Sequence, residues 1–431
     1  MKILILIKRI IYHFVAIFVR RGQFGVAMIL LRSDQLFSRS SIESRFASVV
    51  GSNGPGLDKT QSRNRIFPAR EGCLKPVVVK KKFPDSDNNS SNHVIPVRYP
   101  PVDIIELSDV GVVGGTELID LGDGRVLYDE IAYGNPDRFG CKCFGIIPRQ
   151  AFGLFLPAFH KGRLLVSTIL DTKQKIPVGI HLCKDHSGNY FHWLFECLPR
   201  AVLSLRDPRY EGIPLIVDAH LPSQNLEALK QISGDREIHT IERRHQIWVD
   251  RLIYPGVLSY THDYYGVDAR ADDFLVAPEA ISLLREAFVP TGTSNPQKKR
   301  IFVARDRASY RRLRNEKEIH QALTRLGFII VRPETMTFTE QVDLFSEAEV
   351  IVGPTGAGMS NMIFAPEGCK VVVLAAATKA ANHYLFSQVG QHAGHELMYV
   401  EGRALRPNQL HSDYHVSPRE VLAALEEMGV I

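Results

Sequence analysis

The stretch Val350-Ile-Val-Gly-Pro-Thr-Gly-Ala-Gly-Met-Ser-Asn361 indicates the fold of the C-terminal part of this 431-residue chain. It has the pattern of a buried strand, a glycine-rich turn and the start of a helix. Glycines in such a turn let the backbone approach a ligand, and free amides at a helix N-terminus attract phosphate or carboxylate. The spacing Gly-x-x-Gly-x-Gly differs from the Gly-x-Gly-x-x-Gly of dinucleotide binders. The stretch therefore predicts either an anion-binding turn or a purely structural one.

Short strands and helices alternate on both sides of this turn. We predict strands at 300–304, 328–331, 350–352 and 370–374, and helices at 316–326, 338–347, 359–364 and 418–428. Such alternation is typical of a parallel sheet built from right-handed β-α-β units. Capping-box patterns at Thr337–Glu340 and Ser417–Glu420 predict two of the helix starts.

The preceding part of the chain has a less regular pattern. Strand-like runs at 102–107, 164–169, 214–217 and 246–253 mix with helical stretches at 191–205 and 223–232, which predicts a second α/β domain. A tract rich in Ser, Asn, Gly and Lys comes before it and is typical of a polar linker. We therefore predict four segments: an apolar basic segment at 1–35, a linker at 36–94, and domains at 95–275 and 276–431.

Composition and charge exclude several classes of protein. Hydrophobic residues make up 45% and charged residues 23%, which is typical of a globular protein and excludes collagen-like or wholly disordered chains. The net charge of +5 is uneven, because residues 1–90 hold 16 Lys and Arg against 6 Asp and Glu. This excess favours contact of the N-terminus with a membrane or polyanion rather than sequence-specific nucleic acid.

The six cysteines form no Cys-x-x-Cys pair, so we expect free thiols in a reducing compartment.

The first 35 residues are apolar but interrupted by basic pairs. No stretch reaches the roughly 20 apolar residues that a spanning helix needs. In a helix, Lys2, Arg9, His13 and Arg20 would lie along one line, as in a basic helix at a membrane surface. The alternative is a helix docked on the protein body. Charges within the apolar run disfavour a signal peptide.

An arginine-rich stretch follows the predicted strand at 300–304. Five arginines occur within ten residues there, namely Arg305, Arg307, Arg311, Arg312 and Arg314. Ligand-binding loops follow the strands of a parallel sheet, so these side chains are well placed to bind a diphosphate. The alternative is a solvated basic loop.

A third group of polar side chains lies at 185–200. His192 and Glu196 are four residues apart and share one face of the predicted helix, so either could act as a general base or bind a sugar hydroxyl. Trp193 offers a stacking surface. A histidine beside tryptophan can equally be a hydrogen-bonded core residue. The spacing of His181, Cys183, His186 and His192 fits no common zinc site.

Together these three segments resemble glycosyltransferase family 61 over roughly residues 150–430. The chain supplies the family's four blocks in order: Asn189-Tyr190-Phe191-His192-Trp193; Arg305, Arg311-Arg312 and Asn315-Glu316; Pro333-Glu334, Phe338, Glu340-Gln341, Phe345 and Ala348; and Gly353, Gly356-Ala357-Gly358 and Ser360-Asn361. One position departs from the pattern, because Thr355 stands where the family usually has histidine.

The resemblance implies an α/β, GT-B-like fold in which two Rossmann-like domains face a cleft, here preceded by the irregular basic extension. It implies an inverting, metal-independent transferase that needs no cofactor. The donor would be a nucleotide sugar, UDP-linked in our prediction, and the acceptor a glycan hydroxyl. The donor-binding residues would be Arg305, Arg311, Arg312, Asn315, Glu316, Glu334, Thr355, Gly356, Ala357, Gly358, Ser360 and Asn361.

The acceptor side requires a base, for which we predict His192, followed by Glu196 and Asp185. The Asp85-Ser-Asp87 sequence formally matches the DxD motif of metal-dependent glycosyltransferases, but it lies in a polar tract, and we expect no metal there. We predict a role in surface or capsular polysaccharide synthesis. The expected location is cytoplasmic, peripheral on the inner face of an anionic cell membrane, and no nucleic acid is expected as a partner.

Two other functions compete with this prediction. In the first, the fold is kept without catalysis, and the protein is a glycan- or sugar-nucleotide-binding subunit of a polysaccharide assembly complex, which Thr355 would favour. In the second, an oxidoreductase uses the glycine-rich turn for a dinucleotide, but no early strand-GxGxxG-helix unit supports it.

Overall fold

The computed structural model describes residues 43–53, 57, 59–80, 94–133, 159–160, 163–261, 271–290, 298–378, 383–409 and 411–431. The predicted basic segment at 1–35 and the Asp85–Asp87 sequence lie outside these residues. Within them, no helix combines the length and the apolar character needed to cross a membrane. The cysteines that can be placed, Cys73, Cys183, Cys197 and Cys369, are free thiols, and all but Cys73 are buried.

The first half of the chain builds a ten-stranded mixed sheet and two small hairpins. The sheet contains β1 (Glu43–Val50), β2 (Thr60–Phe67), β5 (Val102–Val113), β6 (Ile119–Asp120), β7 (Arg125–Leu127), β8 (Phe159–His160), β9 (Arg163–His181), β10 (Leu215–Asp218), β11 (Ile238–Ile241) and β12 (His245–Pro255). The hairpins pair β3 (Arg70–Leu74) with β4 (Ile95–Tyr99), and β13 (Ser259–Thr261) with β14 (Phe274–Val276).

Six strands of this sheet close a ring in the order β1-β7-β6-β5-β12-β9, because β1 pairs with both β7 and β9. We expected a Rossmann-like parallel sheet, but the β5–β12, β5–β6 and β6–β7 pairs are antiparallel. Short connections permit antiparallel pairing, whereas parallel neighbours need a longer crossover. Among the described residues, helices lie between β9 and β10 and between β10 and β11, and these strands pair in parallel. β12 also pairs in parallel with β9, and β1 with β7.

The helices of the first half that lie in the described residues are short. They are α1 (Asp129–Tyr133), α2 (Tyr190–His192), α3 (Leu198–Leu205) and α4 (Ser223–Ser233), and a π-helical turn at Trp193–Cys197 joins α2 to α3. The predicted helical stretches at 191–205 and 223–232 are thereby confirmed.

The segment predicted as a polar linker instead contributes three strands where the structure describes it. β1 and β2 join the large sheet, and β3 pairs with β4. Exposed and half-buried residues alternate along β2, so one face of this strand meets water and carries polar side chains. Its Arg63 and Arg65 form ion pairs with the fully buried carboxylate of Asp103 on β5. The polar composition of this segment is therefore that of a half-exposed strand, which the linker prediction did not recognise.

The second half has the parallel sheet that the sequence predicts. The strands are β15 (Lys299–Val303), β16 (Phe328–Val331), β17 (Ala348–Pro354), β18 (Lys370–Ala377), β19 (Glu396–Ala404) and β20 (Tyr414–His415). Their order is β16-β15-β17-β18-β19-β20, and only β20 runs antiparallel to its neighbour. The chain leaves β15 towards one edge of the sheet and β17 towards the other. The gap between these two strands is thus a topological switch point, where ligands bind in open α/β sheets.

The helices of this half are α5 (Pro278–Phe288), α6 (Glu316–Thr324), α7 (Phe338–Ser346), α8 (Tyr384–His392) and α9 (Pro418–Glu427). Thr337 and Glu340 form the predicted capping box. Ser417 also precedes a helix, but its side chain makes no cap hydrogen bond, so the second predicted capping box is wrong. The predicted helix at 359–364 is a 3₁₀ helix at Ala357–Phe364, where the Asn361 side chain donates to the Gly358 carbonyl oxygen.

One buried apolar cluster extends across both halves. It includes Trp193 and Leu198 from the first half, Leu284 from α5, and Ile351 and Phe364 from the second half. The two halves therefore share a core at the level of α3, α5 and the 3₁₀ helix.

Candidate active site

A cleft of about 370 Å³ lies between the two halves. Its walls are formed by the loops after β9, β15, β16 and β17 and by the start of α4. The residues that line it are Gly188, Asn189, Tyr190, Pro222, Gln224, Asn225, Val303, Ala304, Arg305, Arg307, Ala308, Tyr310, Arg311, Pro333, Glu334, Gln341, Pro354, Gly356, Ala357 and Gly358. The cleft opens at the switch point between β15 and β17, where the fold predicts a ligand.

Arg305 and Arg311 bring positive charge into the cleft. Neither forms an ion pair with a carboxylate among the residues that the structure describes, and the Nε atom of Arg311 is buried without a hydrogen-bond partner there. Arg305 donates through Nη1 to the carbonyl oxygens of Tyr310 and Arg311, at 2.7 and 2.8 Å. Burial, and then repulsion by Arg311, lowers the pKa of the Arg305 guanidinium. Two like charges held together in this way favour an anionic ligand.

The backbone of the arginine loop has an unusual conformation. Arg311 has a φ of 53°, in the left-handed region that residues other than glycine seldom adopt. Tyr310, directly before it, is 44% exposed, and the guanidinium carbons of Arg305 and Arg311 lie 5.3 Å from its ring centroid.

The glycine-rich turn lies against Arg305. A Cβ atom at Gly356 would approach Arg305 Nε to 2.7 Å, and one at Gly353 would come within 3.0 Å of the Val303 carbonyl oxygen. With a φ of 172°, Gly356 has ordinary extended backbone that any residue adopts. Glycine at these positions therefore serves the close approach of neighbouring atoms and not an unusual backbone conformation. The turn is therefore part of the cleft wall, and the anion-binding interpretation of it is the one that the geometry favours.

Asn361 connects three of the four sequence blocks. Its Oδ1 accepts a hydrogen bond from the Tyr190 hydroxyl at 2.7 Å, and its Nδ2 donates to Gln341 Oε1 at 2.7 Å. Asn361 itself is fully buried, whereas Tyr190 and Gln341 line the cleft. Asn361 therefore positions cleft residues and does not line the cleft.

His192 follows the cleft residue Tyr190 on the same helical segment. Its Nδ1 lies 3.1 Å from Glu196 Oε1 and 3.1 Å from the Thr261 hydroxyl, which itself donates to Glu196 Oε1 at 2.7 Å. Glu196 is almost fully buried, whereas the His192 side chain is 19% exposed. A carboxylate that binds one ring nitrogen fixes the ring and leaves the other nitrogen for proton transfer.

Asp185, the third predicted candidate for the base, has a different environment. Its Oδ2 accepts a hydrogen bond from the Tyr128 hydroxyl at 2.7 Å. None of the three candidates, His192, Glu196 and Asp185, is among the residues that line the cleft.

Several predicted donor-binding residues lie outside the cleft wall. Arg312 binds Asp413 through Nε and Nη2, and this contact holds the pKa of that carboxyl below its usual range. The Asn315 amide bonds to the backbone of Val416, and Glu316 accepts from the Arg305 backbone amide at 2.8 Å. These residues support the arginine loop from behind.

Thr355 and Ser360 likewise do not line the cleft. The Thr355 amide donates to the Leu374 carbonyl oxygen, and Ser360 is fully buried. Thr355 therefore contributes no side chain to the cleft wall, although its neighbours Pro354 and Gly356 both line it. The predicted donor residues that the structure brings together are Arg305, Arg311, Glu334, Gly356, Ala357 and Gly358.

Sequence reasoning missed other cleft residues. Tyr310 lies inside the arginine-rich stretch, of which Arg307 was already a candidate and does line the cleft, and Gln341 belongs to one of the sequence blocks. Gln224 and Asn225 of α4 carried no sequence signal, because nothing in a short amphipathic helix shows which end faces a cleft. Thr261, the partner of His192, lies 69 residues away in sequence.

Part of the chain matches a known protein family. Residues 190–372 match the family model of glycosyltransferase 61, and this segment contains the cleft arginines, the glycine-rich turn and His192. The match supports glycosyltransferase activity, with a sugar donor and an acceptor as substrates. A search of curated proteins gives no match to the chain.

Proposed function

We propose that this glycosyltransferase is an inverting, metal-independent enzyme that moves a sugar from a UDP-linked nucleotide sugar to a glycan hydroxyl. The observation that carries the proposal is the pair Arg305 and Arg311, which line the cleft beside the glycine-rich turn without a carboxylate partner among the described residues. We propose that no cofactor takes part.

The part of the proposal that concerns the sugar donor follows from the positive charge in the cleft. When the sugar leaves, negative charge grows on the nucleoside diphosphate, and prearranged cations at that point lower the barrier. Arginine binds phosphate oxygens through two parallel N–H groups, and the buried Nε of Arg311 is such a donor. In a metal-independent enzyme, these two guanidiniums and the turn beside them would supply the positive charge. Glu334 lines the same cleft and is suited to sugar or ribose hydroxyls.

The acceptor half rests on His192. Inversion in one displacement needs one base that removes the acceptor's hydroxyl proton while the donor's sugar–phosphate bond breaks. Glu196 and Thr261 hold Nδ1 of His192, so Nε2 is the atom that would take the proton. The first half of the chain would thus supply the base and the second half the donor site, as in a GT-B arrangement.

The acceptor and the cellular location are further parts of the proposal. A glycan of a surface or capsular polysaccharide is the acceptor that we propose. The basic excess of residues 1–90 supports a cytoplasmic enzyme held at the inner face of an anionic membrane. Sedimentation of the full chain with phosphatidylserine vesicles, and its loss in a chain that begins at residue 36, tests this part.

A thermal-shift screen tests the donor class. UDP, GDP, CDP and NAD are each added with and without EDTA, and the diphosphate that stabilises the protein directs the choice of labelled sugar nucleotides for turnover assays. We expect UDP to raise the melting temperature equally with and without EDTA. Stabilisation by NAD alone, or by UDP only before EDTA is added, would contradict the proposal.

A further inference from the structure

A buried lysine lies behind the proposed base, in a part of the site with no role so far. Lys184 Nζ donates to Glu117 Oε2 at 3.2 Å and lies 3.5 Å from Glu196 Oε2. The three side chains are almost completely buried, at 2%, 0% and 1% exposure for Lys184, Glu117 and Glu196. They come from three separate places in the sequence and meet only in the folded chain.

Stability alone does not explain why these three charged side chains are buried. Removing charges from water is costly, and a buried ion pair contributes little net stability compared with apolar side chains of similar volume. Without a nearby cation, a buried carboxylate takes up a proton. Lys184 therefore has a definite effect on Glu196, because its ammonium favours the ionised form of that carboxylate.

The ionisation of Glu196 decides where the proton of His192 lies. An ionised carboxylate only accepts hydrogen bonds, so Nδ1 of a neutral His192 must carry the proton, and Nε2 is left as an acceptor. A protonated carboxyl instead donates, so Nδ1 would accept and the ring proton would move to Nε2. A ring in that second form cannot take a proton at Nε2.

We propose that Lys184 is a positioning residue for the transferase reaction: it keeps Glu196 ionised and thereby holds His192 in the tautomer with a bare Nε2. Glu117 anchors the ammonium, and the Thr261 hydroxyl donates to the same oxygen of Glu196. Other charged or titratable groups around this chain of contacts include His186, whose ring centroid lies 5.3 Å from that of His192, and Asp218, which accepts from the Lys184 amide. His181 and Cys197 interact electrostatically with Lys184, Cys197 also with Glu196, and Asp129 and Tyr254 with Glu117. The effect of this tautomer on catalysis rests on the proposed role of His192 as the base, whereas the inference about the tautomer does not.

Nitrogen NMR of ¹⁵N-histidine-labelled full-length protein tests the inference without any substrate. Long-range proton–nitrogen spectra distinguish protonated from bare ring nitrogens, and His192→Gln identifies the His192 signals. In the wild type we expect neutral His192 to be protonated at Nδ1 and bare at Nε2. In Lys184→Met we expect the proton to move to Nε2 in most molecules.

Two variants separate this effect from damage to the fold. Glu117→Gln keeps the lysine beside Glu196 and should retain the wild-type tautomer. The double variant, Lys184→Met with Glu117→Gln, removes one buried charge of each sign. It therefore remains informative where the single Lys184 variant does not fold. We expect His192 of the double variant to be protonated at Nε2. A wild-type ring protonated at Nε2, or an unchanged tautomer in the folded double variant, overturns the inference. Failure of the wild type to bind UDP would refute the proposed function and leave this result standing.

Discussion

Arg305 and Gly356 show how the absence of one side chain shapes the proposed donor site. The guanidinium of Arg305 occupies the space that a Cβ atom at Gly356 would need, since the two would lie 2.7 Å apart. Gly188 is a cleft glycine of the opposite kind, because a Cβ atom there would meet nothing within 4 Å. The two glycines therefore form a matched pair for substitution.

Gly356→Ala should weaken UDP binding about ten-fold, because the new methyl group displaces Arg305 from the position in which we propose that it binds phosphate. The backbone at Gly356 is compatible with alanine, so we expect the melting temperature to change little. Gly188→Ala is the control and should keep the wild-type affinity. Isothermal titration calorimetry measures both, and equal affinities for the two variants would show that Arg305 does not bind the donor.

Arg311 and Arg312 are neighbours in sequence with different surroundings. The left-handed backbone at Arg311 directs consecutive side chains to different places: Arg311 lines the cleft and Arg312 binds Asp413. The sequence predicted an arginine-rich, anion-binding loop after β15, and the structure has the cleft there. It could not predict which arginines enter the cleft, because a single left-handed residue leaves no signal in residue type when that residue is arginine.

At the scale of single elements, α7 and α9 begin with similar sequences but have different caps. Thr337 and Glu340 form both bonds of a capping box, whereas Ser417 makes no side-chain cap bond. We predict that Thr337→Ala lowers the free energy of unfolding by about 1 kcal/mol and Ser417→Ala by about a quarter of that or less. Urea denaturation measures both, and a Ser417→Ala effect as large as that of Thr337→Ala would contradict the assignment of the caps.

The start of α7 is also held by α4 from the other half of the chain. Glu227 accepts hydrogen bonds from the amides of Phe338 and Thr339, at 2.8 and 3.1 Å. Burial acts to raise the pKa of this carboxyl, but these bonds outweigh burial, so its pKa lies below the ordinary value of 4.5. The carboxylate also interacts favourably with the positive end of the helix dipole.

A carboxyl with a lowered pKa in the folded state stabilises the protein above its ordinary pKa and loses that effect as pH falls through the folded value. Glu227→Gln should therefore cost about 1 kcal/mol at pH 7, and the difference from the wild type should shrink below about pH 4. Urea denaturation at a series of pH values measures this difference. A difference that stayed constant down to pH 3 would show that the charge of Glu227 does not hold the helix.

Elements with a clear hydrophobic period could be predicted from sequence, and elements with a polar face could not. The strands β15 to β18 appear as apolar runs, so their positions were predicted to within a few residues. β17 and β18 are buried on both faces, whereas the edge strand β16 exposes Ile329. Strand β2 has the sequence Thr-Gln-Ser-Arg-Asn-Arg-Ile-Phe, in which nothing apolar recurs before its end. Its pairing with β5 is accompanied by ion pairs from Arg63 and Arg65 to Asp103, long-range contacts that local patterns do not contain.

At the scale of the whole molecule, the two halves have different architectures. The second half is a parallel sheet whose switch point forms the cleft, as the sequence indicated. The first half closes a ring of mixed strands, β12, β9, β10 and β11 pair in parallel, and the loop after β9 lies in the cleft wall. Ring closure requires β1 to pair with β7 and β9, more than 70 residues away, and such pairing cannot be predicted from local sequence patterns.

The binding of UDP to the wild type, Arg311→Gln and Arg312→Gln, measured by calorimetry at one salt concentration, tests the central claim most directly. The two variants lose the same charge at adjacent positions, one in the cleft and one on Asp413. We predict that Arg311→Gln weakens UDP binding by about ten-fold or more, whereas Arg312→Gln stays within about three-fold of the wild type. Equal losses in both variants, or none in Arg311→Gln, would contradict the assignment of the cleft as the donor site.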